Sequence, residues 1–205
     1  PITITVVGAN DLASLGGDTF GSVNEDGSTP DNEGGNLTTS GTIVVYDEDA
    51  GEAALAGAAS VSGLYGTLDI ALDGSWTYTL NNELAEVQAL RAGETVIDVL
   101  GFPTIDGTNV FISVEVQGTN DSADISGSMS DVIYLADDDT TANGLVVVND
   151  VDNGEAGVTA GLFSGTYGDL TLNEDGTWSY QFTAFDQAGG ENPQSFGENF
   201  ELQSI

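Results

Sequence analysis

Gly63-Leu-Tyr-Gly-Thr-Leu-Asp-Ile-Ala-Leu-Asp-Gly-Ser-Trp-Thr-Tyr-Thr-Leu80 decides the fold, because the chain contains it twice. It returns as Gly165-Thr-Tyr-Gly-Asp-Leu-Thr-Leu-Asn-Glu-Asp-Gly-Thr-Trp-Ser-Tyr-Gln-Phe182, with both the tyrosine pair Tyr65 and Tyr167 and the tryptophan pair Trp76 and Trp178 separated by 102 residues. Each copy reads as two strands around an Asp-Gly turn, Asp73-Gly74 and Asp175-Gly176, because Asp-Gly tolerates the positive φ of a tight hairpin. Leu68 and Ile70 before the turn, and Trp76, Tyr78 and Leu80 after it, alternate with polar residues. Leu170, Leu172, Trp178, Tyr180 and Phe182 repeat the pattern. A period of two turns one face of each hairpin into a core. A self-similar period near 102 in 205 residues implies two domains of sandwich size, all-β in class.

Composition narrows the function. One Arg and no Lys stand against 34 acidic residues, a net charge of −33. Self-repulsion on that scale opposes compaction. Arg91 cannot relieve it alone, so high salt or bound cations must. The absence of a basic patch sets aside binding to nucleic acid and to anionic lipid. No run of apolar residues is long enough to span a bilayer as a helix, so membrane insertion is not expected. Without Cys or His there are no disulfides and no thiolate or imidazole metal sites. Calcium, which takes oxygen ligands, is the remaining source of stabilisation. The acids are spread along strand ends and assemble no catalytic set, so an enzyme is not expected. The chain shows no signal peptide and starts in a strand-like segment at Pro1, and so reads as processed or excised.

Residues 1–7 alternate and are β-branched, the pattern of a strand. Gly8-Ala-Asn-Asp11 ends it. Gly118-Thr-Asn-Asp121 closes the strand Asn109–Val116 in the same way. Further strands are expected near Thr19–Val23, Thr42–Tyr46, Val96–Leu100 and Leu145–Val148. Asn24–Gly35 and Ala184–Ser195 read as loops, and Ala92–Thr95 as a turn. Leu84, Val87 and Leu90 suggest a short helix over Asn82–Leu90 with Asn82 as its cap. The expected organisation is 1–11 as a strand of a preceding or neighbouring domain plus linker, 12–121 as the first sandwich and 122–205 as the second, incomplete one.

Several motifs keep their order and spacing: Asp-x-Asp after a strand, Tyr-Gly-x-Leu-x-Leu/Ile, Asp-Gly-x-Trp-x-Tyr, Val87-Gln-Ala-Leu90, Ala92-Gly-Glu-Thr95 and Gly118-Thr-Asn-Asp121. Together they resemble the VCBS-type, cadherin-like repeats of bacterial RTX-class surface adhesins. The resemblance covers roughly 41–121 and 144–182. It implies tandem cadherin-like (immunoglobulin-like) β-sandwiches and a non-enzymatic, calcium-stiffened extracellular stalk or adhesive module on a bacterial surface. Cadherin-type junctions place an Asn-Asp linker against an Asp-x-Asp loop of the next domain. The matching residues here are Asn10, Asp11, Asp47 and Asp49, and then Asn120, Asp121, Asp150 and Asp152. Glu25, Asp26 and Asp137, Asp138 and Asp139 lie where such a site recruits another acid, with Glu25 and Asp138 the expected ligands. The alternative is that the Asn-Asp and Asp-x-Asp acids flank wet strand ends and that Glu25, Asp26 and Asp137–Asp139 belong to solvated acidic loops.

Asp73 and Asp175 read as turn residues, and the alternating Trp76, Tyr78, Trp178 and Tyr180 as core instead of a sugar platform. Phe163, Phe185 and Phe196 are the loop aromatics that a glycan- or protein-binding module would use. Asn36-Leu-Thr38 and Asn120-Asp-Ser122 fit the glycosylation pattern but carry little weight in a bacterial protein. The ends of the repeats suggest how copies join. Phe200–Ile205 aligns with Leu100–Ile105, after which the first repeat continues into Asn109–Val116 and the second stops. Residues 1–7 are a spare strand of that same type. They are expected to complete the second domain of another copy, head to tail, burying Ile2, Ile4 and Val6. The alternative is a tandem-repeat fragment in which flanking repeats supply the missing pieces.

Overall fold

A computed structural model describes residues 1–27, 37–134, 139–183 and 197–202. The chain divides into two compact units, Pro1–Asn120 and Asp121–Ile205. Unit 1 contains β1 (Ser14–Gly17), β2 (Phe20–Asn24), β3 (Thr38–Tyr46), β4 (Ala59–Ser62), β5 (Gly66–Ile70), β6 (Ser75–Leu80), the one-turn helix α1 (Ala85–Gln88), β7 (Thr95–Pro103) and β8 (Asn109–Gln117). Unit 2 contains β9 (Asp124–Ser128), β10 (Thr141–Asn149), β11 (Gly161–Ser164), β12 (Gly168–Leu172) and β13 (Thr177–Phe182).

In unit 1, a five-stranded sheet in the order β1-β3-β6-β5-β4 faces a three-stranded sheet in the order β2-β8-β7. The alternation of β5–β6 places Leu68, Ile70, Trp76, Tyr78 and Leu80 in the core, with Ser75, Thr77 and Thr79 outward. From the other sheet come Val23, Leu100, Phe102, Ile112, Val114 and Val116, which makes this unit a β-sandwich. Each large apolar side chain so buried contributes about 1.5–3 kcal/mol. β8 is the central strand of its sheet: it runs parallel to β2 and antiparallel to β7. Its inward residues Ile112, Val114 and Val116 are fully buried.

Unit 2 repeats the five-stranded sheet as β11-β12-β13-β10-β9. Leu170, Leu172 and Trp178 lie in its core, with Ile133, Phe163, Tyr180, Phe200 and Leu202 packed against them. The Asp-Gly turns form as expected, with Gly74 at φ 83° and Gly176 at φ 79°. Asp73 Oδ1 accepts hydrogen bonds from Ser75, and Asp175 Oδ1 from Thr177, so both carboxylates are occupied in their own turns. The indole N–H of Trp76 donates to Asp18 O and that of Trp178 to Ser128 O, both at 2.8 Å. The tryptophans are therefore core residues.

Two expectations change. Residues 1–7 form no strand, and Ile2, Ile4 and Val6 are 94, 83 and 89% exposed. A strand exists only through its ladder, and this segment pairs with nothing among the described residues. The helix shrinks to Ala85–Gln88, and its cap position is Leu84, with no side-chain cap bond. Asn82 instead exchanges hydrogen bonds with Asp26. The expected loops over 24–35 and 184–195 fall mostly outside the described residues, as does Asp138.

Candidate metal centre

Each unit carries the same loop after the strand that pairs with its Trp hairpin. In unit 1, β3 leads into Asp47-Glu-Asp-Ala-Gly-Glu52. In unit 2, β10 leads into Asp150-Val-Asp-Asn-Gly-Glu155. The backbone closes identically: Asp49 N–H donates to Asp47 Oδ1 at 2.8 Å, and Asp152 N–H to Asp150 Oδ1 at 2.9 Å. Glu52 N–H then reaches Asp49 O and Glu155 N–H reaches Asp152 O. The glycine between them takes positive φ, 91° at Gly51 and 76° at Gly154, which a side chain would resist. That turn brings the glutamate back beside the two aspartates. Oxygens of Asp47, Asp49 and Glu52 lie within 4.8 Å of one another, and so do those of Asp150, Asp152 and Glu155.

The preceding linker joins each loop through its backbone. Asp11 N–H donates to Asp49 Oδ2 and Asp121 N–H to Asp152 Oδ2, both at 2.8 Å. The two predicted Asn-Asp segments thus dock on their Asp-x-Asp loops in the same manner. Asp106, from the β7–β8 turn, accepts from Ala13 N–H at 3.2 Å and fastens the linker to unit 1 from another side. Hydrogen bonds from the hydroxyls of Thr104 and Thr108 hold the Asp106 carboxyl well below the usual carboxylate range.

Part of this charge meets no donor among the described residues. Asp47 Oδ2 and Glu52 Oε2 in unit 1, and Asp152 Oδ1 in unit 2, are buried atoms with no hydrogen-bond donor there. Asp152 as a residue is 2% exposed. A buried carboxylate oxygen without a donor or cation is costly. Burial raises the Glu52 pKa, and the neighbouring Asp49, Asp47 and Asp106 charges raise it further. Clustered carboxylate oxygens lacking donors are the ligand chemistry of a hard cation such as calcium, which takes six to eight oxygens. The residues present fit that ion: Asp47, Asp49 and Glu52 would hold it in unit 1, and Asp150, Asp152 and Glu155 in unit 2.

Glu25 belongs to neither carboxylate cluster. Asn10 Nδ2 donates to Asp11 O and lies exposed. Glu25 is fully buried at the opposite end of unit 1, where it accepts from Gln88 Nε2 and from Thr119 N–H, both at 3.2 Å. Asn120 closes unit 1. Glu52 and Glu155 escaped the sequence reading, although the recurrence of Gly-Glu after both Asp-x-Asp loops was a visible signal. Phe163 lies in β11 and packs against the core of unit 2, while Phe185 and Phe196 lie outside the described residues.

No helix among the described residues is long and apolar enough to cross a membrane. No protein-family model matches the chain, and no curated protein does. Among solved structures it is similar to the protocadherin gammaB7 EC3-6 cis-dimer structure, at 14% identity and a TM-score of 0.44 over 85% of this chain. It spans 40% of that chain's length. It is also similar to the extracellular domain of protocadherin gammaB4, at 16% identity and a TM-score of 0.47, covering 89% of this chain and 28% of that one. With human CDH23 EC21-23 the identity is 14% and the TM-score 0.44, covering 89% of this chain and 57% of that one. At such identities and scores the alignments assign no residue, and the fold rests on the strand order and register above.

Proposed function

We propose that this chain is a non-enzymatic, calcium-binding repeat module of an extracellular bacterial surface protein, serving as a stalk or adhesive element joined to further units of its own kind. The observation that carries the reading is the pair of matching Asp-x-Asp-x-Gly-Glu loops, each with buried carboxylate oxygen that no donor meets. Calcium bound there supplies positive charge that the sequence itself lacks, in a chain of net charge −33. The backbone docking of Asp11 on Asp49 and of Asp121 on Asp152 ties the linkers to the same loops, so an ion also stiffens the chain where it enters each unit. The bacterial and surface assignment comes from the VCBS-type motifs.

Calcium titration by calorimetry, with melting in excess calcium and in chelator, tests this. Binding to the folded state alone adds about 2.7 kcal/mol when calcium is at 100 times Kd. Replacing Asp150 and Asp152 together by Ala is expected to remove the unit 2 site and leave the unit 1 site titrating. No heat of binding and an unchanged Tm would overturn the reading.

A further inference from the structure

We infer that residues 2–7 act as a donor strand that inserts into unit 2 of a second copy of this chain, in the place that β8 holds in unit 1. The first observation is the segment itself. Ile2-Thr-Ile-Thr-Val-Val-Gly-Ala-Asn-Asp11 matches Ile112-Ser-Val-Glu-Val-Gln-Gly-Thr-Asn-Asp121 at a constant spacing of 110 residues. Ile112, Val114 and Val116 are 0% exposed, whereas Ile2, Ile4 and Val6 stand 83–94% exposed. The same apolar pattern is core in one place and bare in the other. Bare β-branched residues in alternation are an invitation to strand pairing.

The second observation is the site that the strand fits. In unit 1 both β2 and β7 pair with β8, and in that sheet with nothing else. Unit 2 has the counterparts of both flanks. Ile133 packs against its core as Val23 does in unit 1, 110 residues earlier. Phe200 and Leu202 pack as Leu100 and Phe102 do, 100 residues earlier. A carboxylate confirms that register. Asp98 accepts from Leu64 N–H, Tyr65 N–H and the Tyr78 hydroxyl. Glu198 accepts from Thr166 N–H, Tyr167 N–H and the Tyr180 hydroxyl. The side chains of both flanks are therefore in position, yet neither 130–134 nor 197–202 forms a strand. What those two flanks lack, among the described residues, is the central strand that would give each its ladder.

The occupant is a second copy for two reasons. Residues 1–7 carry no charged side chain, so a chain of net charge −33 adds no acidic residue to another by inserting them. Their tether, Gly8–Asp11, is fastened to Asp49 at one end of unit 1, whereas Thr119 is fastened to Glu25 at the other. Within unit 1 the nine-residue strand β8, about 30 Å long, separates that tether from the point where the chain leaves the unit. Donation between copies is head to tail and need not close on itself. Transfer of the unit 1 register sets Thr3 opposite Asn199 (as Ser113 is opposite Val99) and Val6 opposite Ile133 (as Val116 is opposite Val23).

The chain has no cysteine, which makes the test clean. Thr3→Cys and Asn199→Cys alter exposed residues and are made in separate copies of the full chain. Mixed and oxidised, they are expected to give one disulfide-linked pair, and the double variant a ladder of linked multimers. Thr3→Cys mixed with Glu174→Cys, on the far β12–β13 turn, is the control and gives none. Ile4→Asp, at a position exposed in the single molecule, is expected to abolish the cross-link and leave both Trp environments unchanged. The reactions are run in calcium and in chelator, so a failure of the metal reading is seen separately. No cross-link above the control, a cross-link closing within one molecule, or an Ile4→Asp chain that still cross-links would each overturn the inference.

Discussion

At the scale of single residues, the strongest constraint is a carboxylate seated beneath each Trp hairpin, buried at Asp98 and half-buried at Glu198. Asp98 is 1% exposed and gathers two backbone N–H groups and the Tyr78 hydroxyl, at 2.9–3.0 Å. Gly63 makes this possible, because a Cβ there would collide with the Asp98 carboxylate; Gly165 does the same for Glu198. The repeated Gly-x-Tyr-Gly is thus a seat for an acid from another strand. Asp98→Ala leaves buried donors unmet, at about 1–3 kcal/mol each. It should lower unit 1 stability by about 3 kcal/mol or more in denaturant melts, and Gly63→Ala by a smaller amount. The tyrosines report the same seat. Burial, and then the hydrogen bond to Glu198, push the Tyr180 pKa up to about 12 from an ordinary value near 10. The folded state favours the neutral phenol, so this contribution is intact below pH 10 and is lost as pH rises through about 12. Tyrosinate absorbance should show Tyr180 ionising together with loss of the unit 2 fold, and Tyr180→Phe should remove that step. The Trp and Tyr core positions were legible from alternation alone. Asp98 was not, because an acid amid Val and Leu looks like an outward residue of a half-buried strand until the fold shows what sits above it.

Among the elements, the Asp-x-Asp-x-Gly-Glu loops are the seats proposed for calcium, and their titration has a sign. The Glu52 pKa is raised above its ordinary value of 4.5 by burial and by the Asp49, Asp47 and Asp106 charges. Folding therefore favours its protonated form. In the metal-free protein this loop weakens the fold as pH rises from that value through the raised one. Asp106, Asp73 and Asp175 act oppositely: hydrogen bonds from threonine or serine hydroxyls lower all three below 3.8, so their support is present above that value and lost below it. Metal-free protein should therefore melt highest at mildly acidic pH, and saturating calcium should move the optimum toward neutrality. Tm measured against pH in chelator and in calcium checks this; matching profiles would count against the site. Glu52→Gln should flatten the chelator profile. The long strands β3, β6, β7 and β8 were legible because they alternate over enough residues. β1, β4, β9 and β11 were not: each has only four or five residues, and two contain Gly-Gly or Ser-Gly. They form because neighbours offer a ladder edge. Residues 1–7 show the converse, with good strand propensity but no pairing strand among the described residues.

Across the described residues, the repeats share the five-stranded sheet but only unit 1 shows the sheet that covers it, and stability should follow. Unit 1 closes its core with β7 and β8, and Trp76 and Leu68 are 2 and 0% exposed. Their counterparts Trp178 and Leu170 are 9 and 6% exposed. The flanks of the unit 2 core, 130–134 and 197–202, hold their apolar side chains outside any strand ladder among the described residues. Fewer buried contacts and unpaired flanks mark the low-stability end of a structure. The chain should therefore melt in two steps, unit 2 first. One Trp per unit gives the readout: Trp76→Phe leaves Trp178 reporting unit 2, and Trp178→Phe leaves Trp76 reporting unit 1. The Trp178 transition should come at lower denaturant and move up on adding a peptide of residues 1–11, while the Trp76 transition stays in place. Charge acts on both units at once, since one cation faces 34 acids. Sodium chloride screens that repulsion without occupying the loops. It should raise both midpoints gradually, whereas millimolar calcium at constant ionic strength should raise them in a saturable way that loop variants remove. If sodium and calcium prove interchangeable at equal ionic strength, screening alone explains the stability and the acidic loops hold no ion.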